Sequence, residues 1–221
     1  LGFRGPIYAT TATVDLATVM LADSAHIQES EWMRAERRRG RRHLARDDYP
    51  LYTIAQAQAC SAQFEGVAYG EEFTPKPGIR CRYRDAGHIL GSAIIELWVD
   101  GPAGTKKIVC SGDLGQPGRP IVCDPTPIAD ADVLIVESTY GNRLHKDLTQ
   151  SIEELHGVLE DVMTRRRGNV VVPAFALGRT QELLYVLVGL HRANRLPRMR
   201  IFVDSPLALQ ATQITVRHPA F

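Results

Sequence analysis

The chain has 221 residues, 44% of them hydrophobic and 23% charged, which is enough apolar material for a buried core and rules out a disordered tail. Twenty-six basic residues stand against 25 acidic ones, so a formal charge of +1 announces neither a nucleic-acid nor a membrane partner through bulk electrostatics. No apolar run reaches the ~18 residues of a helical membrane span, and residues 1–6 do not read as a signal peptide. Cys60, Cys81, Cys110 and Cys123 lack C-x-x-C spacing and sit mostly in apolar runs, so they are expected to be reduced core residues of a cytoplasmic protein.

Pro6 to Thr10 (PIYAT) reads as a short buried strand. Thr11 to Ala22 follows as a helix, with Ala12, Leu16, Val19 and Met20 near helical spacing. A polar stretch from Asp23 to Asp48 then carries Arg34, Arg37, Arg38, Arg39, Arg41, Arg42 and Arg46 beside Glu29, Glu31 and Glu36, with Gly40 weakening a continuous helix. Its plainest reading is a solvated helical face. Lys occurs only at 76, 106, 107 and 146, however, and Arg is the side chain that grips phosphate bidentately, so lining a groove is a minor alternative. Thr53 caps a short helix expected over Ile54 to Phe64.

From Ile79 the period changes to two. In IRCRYRD, Arg80, Arg82 and Arg84 share one face of a strand and Ile79, Cys81 and Tyr83 the other. Ser92 to Val99 and Lys106 to Ser111 read as a hairpin about the turn GPAG. Val133 to Val136, apolar on both faces, reads as a sheet-interior strand. The last third alternates: a helix over Ser151 to Arg167, a strand over Asn169 to Pro173, a helix over Arg179 to Leu190, a strand over Arg200 to Val203 and a helix from Pro206. That order argues for a parallel sheet with helices packed on it. Hairpins first and β-α units later give an α/β chain of two architectures joined near Gly141. The chain stops inside an element and is expected to belong to something longer.

Three polar residues each follow the end of an expected strand, where side chains converge on a crevice. They are His88 in DAGHILGSA, Asp113 in SGDLG and Glu137 at the end of VLIVE. Imidazole and carboxylate ligate zinc and other divalent metals, and an aspartate can bridge two ions. Each residue also has an ordinary reading: His88 as a turn or core residue, Asp113 as an Asx-turn residue, Glu137 as acceptor for the Ser138–Thr139 turn. Their recurrence at successive strand ends favours a common site. In PAFALGRTQELL, Gly178 and Arg179 precede a helix whose free N–H groups could hold phosphate. No Gly-Lys-Ser/Thr follows, and on this phrase alone a plain strand-loop-helix connection is the favoured reading. VDSPLA repeats the arrangement with Asp204, Ser205 and Pro206 at a helix start.

GHILGSA, SGDLG and ESTYGNR, followed by VVPAFALGRTQELL and VDSPLA, closely resemble the β-CASP branch of metallo-β-lactamase-fold nucleases. The likeness is to the bacterial RNA-processing type, akin to the endonuclease subunit of the eukaryotic cleavage and polyadenylation factor and, more distantly, to RNase J. PIYAT and DSAHIQE resemble the segment that follows the family's main metal motif. The resemblance implies part of a metallo-β-lactamase αββα sandwich over residues 1–141, then the start of a β-CASP parallel α/β domain over 142–221. It implies zinc-dependent hydrolysis of RNA phosphodiester bonds at a two-zinc site between those domains. His88 would ligate one zinc, Asp113 would bridge both and take part in catalysis, and Glu137 would orient the histidine that protonates the leaving oxygen. Gly178, Arg179 and Ser205 would face the RNA. A cytoplasmic protein with no membrane partner is expected, and a homodimer is left open.

The family's His-x-His-x-Asp-His signature is absent. The seven histidines stand at 26, 43, 88, 145, 156, 191 and 218, and no two have H-x-H spacing. In the family that signature lies upstream of PIYAT and further histidines lie downstream of VDSPLA, so these 221 residues alone are expected to be inactive. Two alternatives stay open: a noncatalytic RNA-binding or scaffold subunit of the same fold, and a small-ester metallo-hydrolase, which leaves the GRTQELL tail unexplained.

Overall fold

The computed structural model describes residues 2–39, 49–144 and 146–219. Arg41, Arg42, His43, Arg46 and His145 lie outside the described residues. Strand β1 (Ile7–Thr10) pairs in parallel with β2 (Phe64–Val67), with Ile7 opposite Phe64 and Thr10 opposite Val67. Helices α1 (Thr11–Arg39) and α2 (Ile54–Ser61) lie in the crossover that a parallel pair requires. Helix α1 does not stop at Ala22 as the sequence reading expected. Residues 23–39 contain no Gly or Pro and are rich in Glu, Arg and Ala, so helix propensity carries the chain through Arg34, Arg37 and Arg38. Ala25, midway along, is completely buried. Thr53 does cap α2, in a capping box with Gln56: each side chain accepts from the other's backbone N–H. That helix ends at Ser61, and Phe64 opens β2 instead of closing the helix.

The second sheet has five strands in the order β3 (Glu72–Lys76), β4 (Ile79–Asp85), β5 (Ala93–Gly101), β6 (Gly104–Cys110) and β7 (Val133–Ile135). Strands β3 to β6 form an antiparallel meander, and β7 adds in parallel to β6. The alternation in β4 holds, for Cys81 and Tyr83 are buried. Tyr83 donates its hydroxyl to the Tyr8 carbonyl at 3.0 Å, and Phe73 lies between the rings of Tyr8 and Tyr83, joining the two sheets. On the opposite face, the charged residues organise around Glu96, 2% exposed, which is held by Arg82 and Lys107 at 2.8 Å each. Trp98 lies beneath the cationic ends of Arg80, Arg82 and Lys107, 5.0–5.5 Å from its ring. Further along this face Ala86, Ile94 and Val109 form a core cluster that Leu114 and Ile128 cover.

Two expectations about strands need correction. Val133 to Ile135 form an edge strand, 48%, 61% and 58% exposed, not an interior one. The apolar stretches 169–173 and 200–203 are not strands, so the expected parallel β-α-β-α sheet does not form among the described residues. A strand is stable only beside a partner, and none of the described residues supplies one there. The helices of this region do form: α3 (Leu148–Glu160), continued by a π-helical segment over Asp161–Arg166, α4 (Arg179–Arg192) and α5 (Pro206–Arg217). Helix α3 starts before Ser151 because the Asp147 carboxylate accepts from Gln150 N at 2.9 Å. Helix α5 packs on α1 through Leu16, Ala211 and Ile214, with Leu90 and Leu177 at the margin.

Burial alone would raise the Glu96 carboxyl, but the hydrogen bonds and charges of Arg82 and Lys107 outweigh it and hold the group below its ordinary value. A depressed carboxylate contributes stability above its unfolded value, and that contribution is lost as pH falls through the folded one. Glu96→Ala therefore costs about 2–3 kcal/mol at pH 7 in chemical denaturation, because two cations lose their shared partner. The gap between wild type and variant narrows as pH drops below 4.5, the ordinary value for this carboxyl.

Candidate active-site cleft

Strand ends and helix starts converge on a cleft of about 360 Å³ whose walls include His88, Asp113, Arg119, Glu137, Gly178 and Arg179. His88 follows β4 and lies on a loop fixed from three directions. The Asp85 carboxylate accepts from Gly87 N at 2.7 Å, and the Ser92 hydroxyl accepts from His88 N at 3.1 Å. The Thr10 and Thr13 hydroxyls, at the junction of β1 and α1, both donate to the Gly91 carbonyl at 2.8 Å. With its backbone fixed in this way, the His88 side chain remains exposed to the cleft.

Asp113 follows β6 in a loop pressed onto the first. Gly115 donates its N–H to the Ala86 carbonyl at 2.8 Å, and a Cβ on Gly115 would collide with the backbone of Gly87 and His88. Gly87 itself has a φ of +65°, and a Cβ there would collide with the Cys123 carbonyl and Pro125. Glycine at 115 is what lets the His88 and Asp113 loops approach so closely, while glycine at 87 leaves room for the 123–125 segment. Glu137, just beyond β7, adds a third tie. Its Oε1 accepts from Leu114 N at 2.6 Å, while its own N–H donates to the buried Ser111 hydroxyl at 3.1 Å. The Leu114 N–H, the Thr139 hydroxyl and His88 together hold the Glu137 carboxyl below its usual range, so it is anionic at neutral pH. Asp85 is pushed the other way by burial, which its bond from Gly87 only partly offsets.

The far wall comes from the start of α4. Gly178, with φ +79°, lies against Ile89, which leaves no room for a side chain there. Gln181, 5% exposed, donates its amide to the carbonyls of Ala176 and Ala208 and to the Thr212 hydroxyl, and so ties the loop before α4 to α5. His88, Asp113, Glu137, Gly178 and Arg179 thus share one cleft. Ser205 does not line it; its hydroxyl caps α5 by accepting from Ala208 N at 3.1 Å. Arg119 and Glu182, which the sequence reading did not single out, do line it. Arg119 lies outside the quoted motifs, whereas Glu182 lies inside PAFALGRTQELL, in the first turn of α4, where its type and position look like an ordinary helix-start acid.

Imidazole and carboxylate at His88 and Asp113 suit a divalent metal in kind. In number they fall short: among the described residues, no group of three His, Cys, Asp or Glu side chains gathers closely enough to hold an ion. No helix among the described residues is long and apolar enough to cross a membrane. Gly115→Ala is expected to cost about 3 kcal/mol in thermal or chemical unfolding, since the methyl meets backbone and not a flexible side chain.

No family model matches the chain. It is 31% identical over 207 residues to Ribonuclease TTHA0252 of Thermus thermophilus, an alignment that covers 94% of this chain and 42% of that protein. It is 32% identical over 215 residues to an RNase J-like protein of Methanocaldococcus jannaschii, covering 94% of this chain and 44% of the relative. It is 29% identical over 208 residues to cleavage and polyadenylation specificity factor subunit 3 of Dictyostelium discoideum, covering 93% and 24%. The chain therefore spans less than half the length of these relatives.

Proposed function

We propose, from the premise that this chain belongs to the β-CASP family of metallo-β-lactamase-fold ribonucleases, that the whole protein hydrolyses RNA phosphodiester bonds at the cleft bearing His88, Asp113 and Glu137. The observation that carries this reading is the meeting of those three side chains in one cleft with Arg179 on its wall. The finer architecture belongs to the same proposal: residues 1–141 contribute to a lactamase-type αββα sandwich and residues 142–221 begin a β-CASP domain.

His88 and Asp113 supply part of a zinc ligand set, and the remaining ligands come from parts of the protein outside these residues. Paired zinc ions, when bound, lower the pKa of water toward about 7 and neutralise charge building on the phosphate. The chain's own residues do the rest. Asp113 is short and exposed on the loop that Gly115 presses onto the His88 loop, so the backbone that carries its carboxylate is fixed. Glu137 keeps that loop in place through Leu114 N and, as an anion, orients a proton-donating histidine of the whole protein. Arg179, at the start of α4, offers its guanidinium to the phosphate oxygens. The rival reading is a noncatalytic RNA-binding or scaffold subunit of the same fold.

Metal content and RNA hydrolysis of the full-length protein decide between them. Asp113→Ala is expected to abolish turnover and release metal, and wild-type hydrolysis by that variant would overturn the assignment. Glu137→Ala lowers turnover roughly 10–100-fold, the range seen when support behind a metal ligand is removed. The 221 residues by themselves are expected to bind zinc weakly and leave RNA intact, checked by metal analysis after dialysis beside a hydrolysis assay.

A further inference from the structure

The cleft does not end at Arg179. A second groove of about 370 Å³ lies between α3 and α4, walled on its apolar side by Ile152, Leu155, Leu183 and Val186, and it contains Lys146. Arg119, Arg179 and Glu182 line both cavities. These three form one bonded unit. Glu182 Oε1 accepts from Arg119 Nη1 at 3.0 Å, and its Oε2 accepts from Arg179 Nη1 at 3.0 Å. Arg119 is held a second time, with Nε and Nη2 both donating to Gln116 Oε1 at 3.2 and 2.9 Å. Those contacts use three of its five N–H groups. One carboxylate between two guanidiniums leaves a net positive charge on the wall that the cavities share.

We propose that the Arg119–Glu182–Arg179 unit grips the RNA backbone where the strand passes from the His88–Asp113–Glu137 cleft into the α3–α4 groove. Arg119 is a phosphate-contacting residue, Glu182 a positioning residue for both guanidiniums, and Lys146 a further phosphate contact in the groove. The groove is large enough for a nucleotide, for ligand sites of this kind begin near 300 Å³. Its chemistry also divides as a nucleotide does, with an apolar wall for base and ribose and cations for phosphate. Glu182 has a mechanical reason to be there. Arg side chains lose rotamer freedom when they bind, and a carboxylate that fixes two of them beforehand removes that cost from RNA binding. The competing explanation is a static tie between the 116–119 loop and α4 with no ligand. Arg119 and Glu182 side chains are 22% and 17% exposed, whereas that of Arg179 is 62% exposed, which leaves donors free at the shared wall.

The inference rests on the RNA reading above, and its test separates the two. Binding of a 12-nucleotide RNA to the full-length protein, stripped of metal with chelator, is followed by fluorescence anisotropy from 50 to 300 mM salt. Arg119→Ala is expected to weaken binding about tenfold and to flatten the plot of log affinity against log salt by about one, as loss of one phosphate contact requires. Arg119→Lys, which keeps the charge but not the fork, falls between wild type and the Ala variant. It also serves where the Ala variant fails to fold. Glu182→Gln, still able to hydrogen-bond but uncharged, weakens binding without flattening the slope, because no cation has been removed. Lys146→Ala flattens the slope for the 12-mer and not for a 4-mer that occupies the cleft alone. In the metal-loaded enzyme, Arg119→Ala raises KM more than it lowers kcat. Wild-type affinity and slope in a folded Arg119→Ala variant, or a fall in kcat with KM unmoved, would overturn the proposal and leave the static tie. Failure of the ribonuclease reading shows itself separately, as hydrolysis that survives Asp113→Ala.

Discussion

The site depends on a backbone-to-backbone contact between two glycine loops. Gly115 lies against Gly87 and His88 so closely that even a methyl group is excluded, and a hydrogen bond from Gly115 N to the Ala86 carbonyl fixes the depth of that contact. The two loops carry His88 and Asp113, so the relation between an imidazole and a carboxylate is set by the main chain. Side chains reach their positions by rotamer choice, which thermal motion can undo; a loop bonded through its backbone has less freedom to lose. Glu137 then ties the Asp113 loop to the end of β7 through Leu114 N. Three polar residues from three strand ends are thus joined by one backbone contact and one carboxylate-to-backbone bond.

The second half of the chain reaches this arrangement through packing. Helices α1 and α5 bury Leu16, Ala211 and Ile214 between them, with Leu90 from the His88 loop and Leu177 from the loop before α4 against the same cluster. A side chain at Gly178 would collide with Ile89. The apolar cluster thus registers the start of α4 against the His88 loop, and Arg179 follows from that registration. Gln181 reinforces it from inside, since a buried amide that donates to two carbonyls and a hydroxyl fixes the spacing of α4 from α5.

Net charge hides how differently the cations are used. On the open face of the five-stranded sheet, Arg80, Arg82 and Lys107 are balanced by Glu72, Glu96 and Asp130 and lie over Trp98, so their charge is spent on the sheet itself. At the wall that the two cavities share the balance differs, because Arg119 and Arg179 share the single carboxylate of Glu182. A chain of charge +1 can therefore still present local positive potential where its two cavities meet.

Local pattern made much of this legible. The period-two run from Ile79 to Asp85, the hairpin about Pro102 and Ala103, the capping box at Thr53 and the helix starts at Arg179 and Pro206 are written in a few adjacent residues each. His88, Asp113 and Glu137 were visible for the same reason, as polar residues after apolar runs. Where elements stop was less visible: α1 passes Ala22 because seventeen residues without Gly or Pro propagate it, and β2 and β3 are too short and mixed to show a period. Partnership was not visible at all. Val133 to Ile135 have the composition of an interior strand yet sit at an edge, and the apolar runs 169–173 and 200–203 form no strand. The sequence by itself determined which residues could ligate, cap and turn, because those are properties of single side chains and their neighbours. Only the tertiary structure decided that Gly115 would meet Gly87, that Glu137 would hold Leu114 and that Glu182 would pair two arginines, because each contact joins residues brought together by packing and not by spacing along the chain.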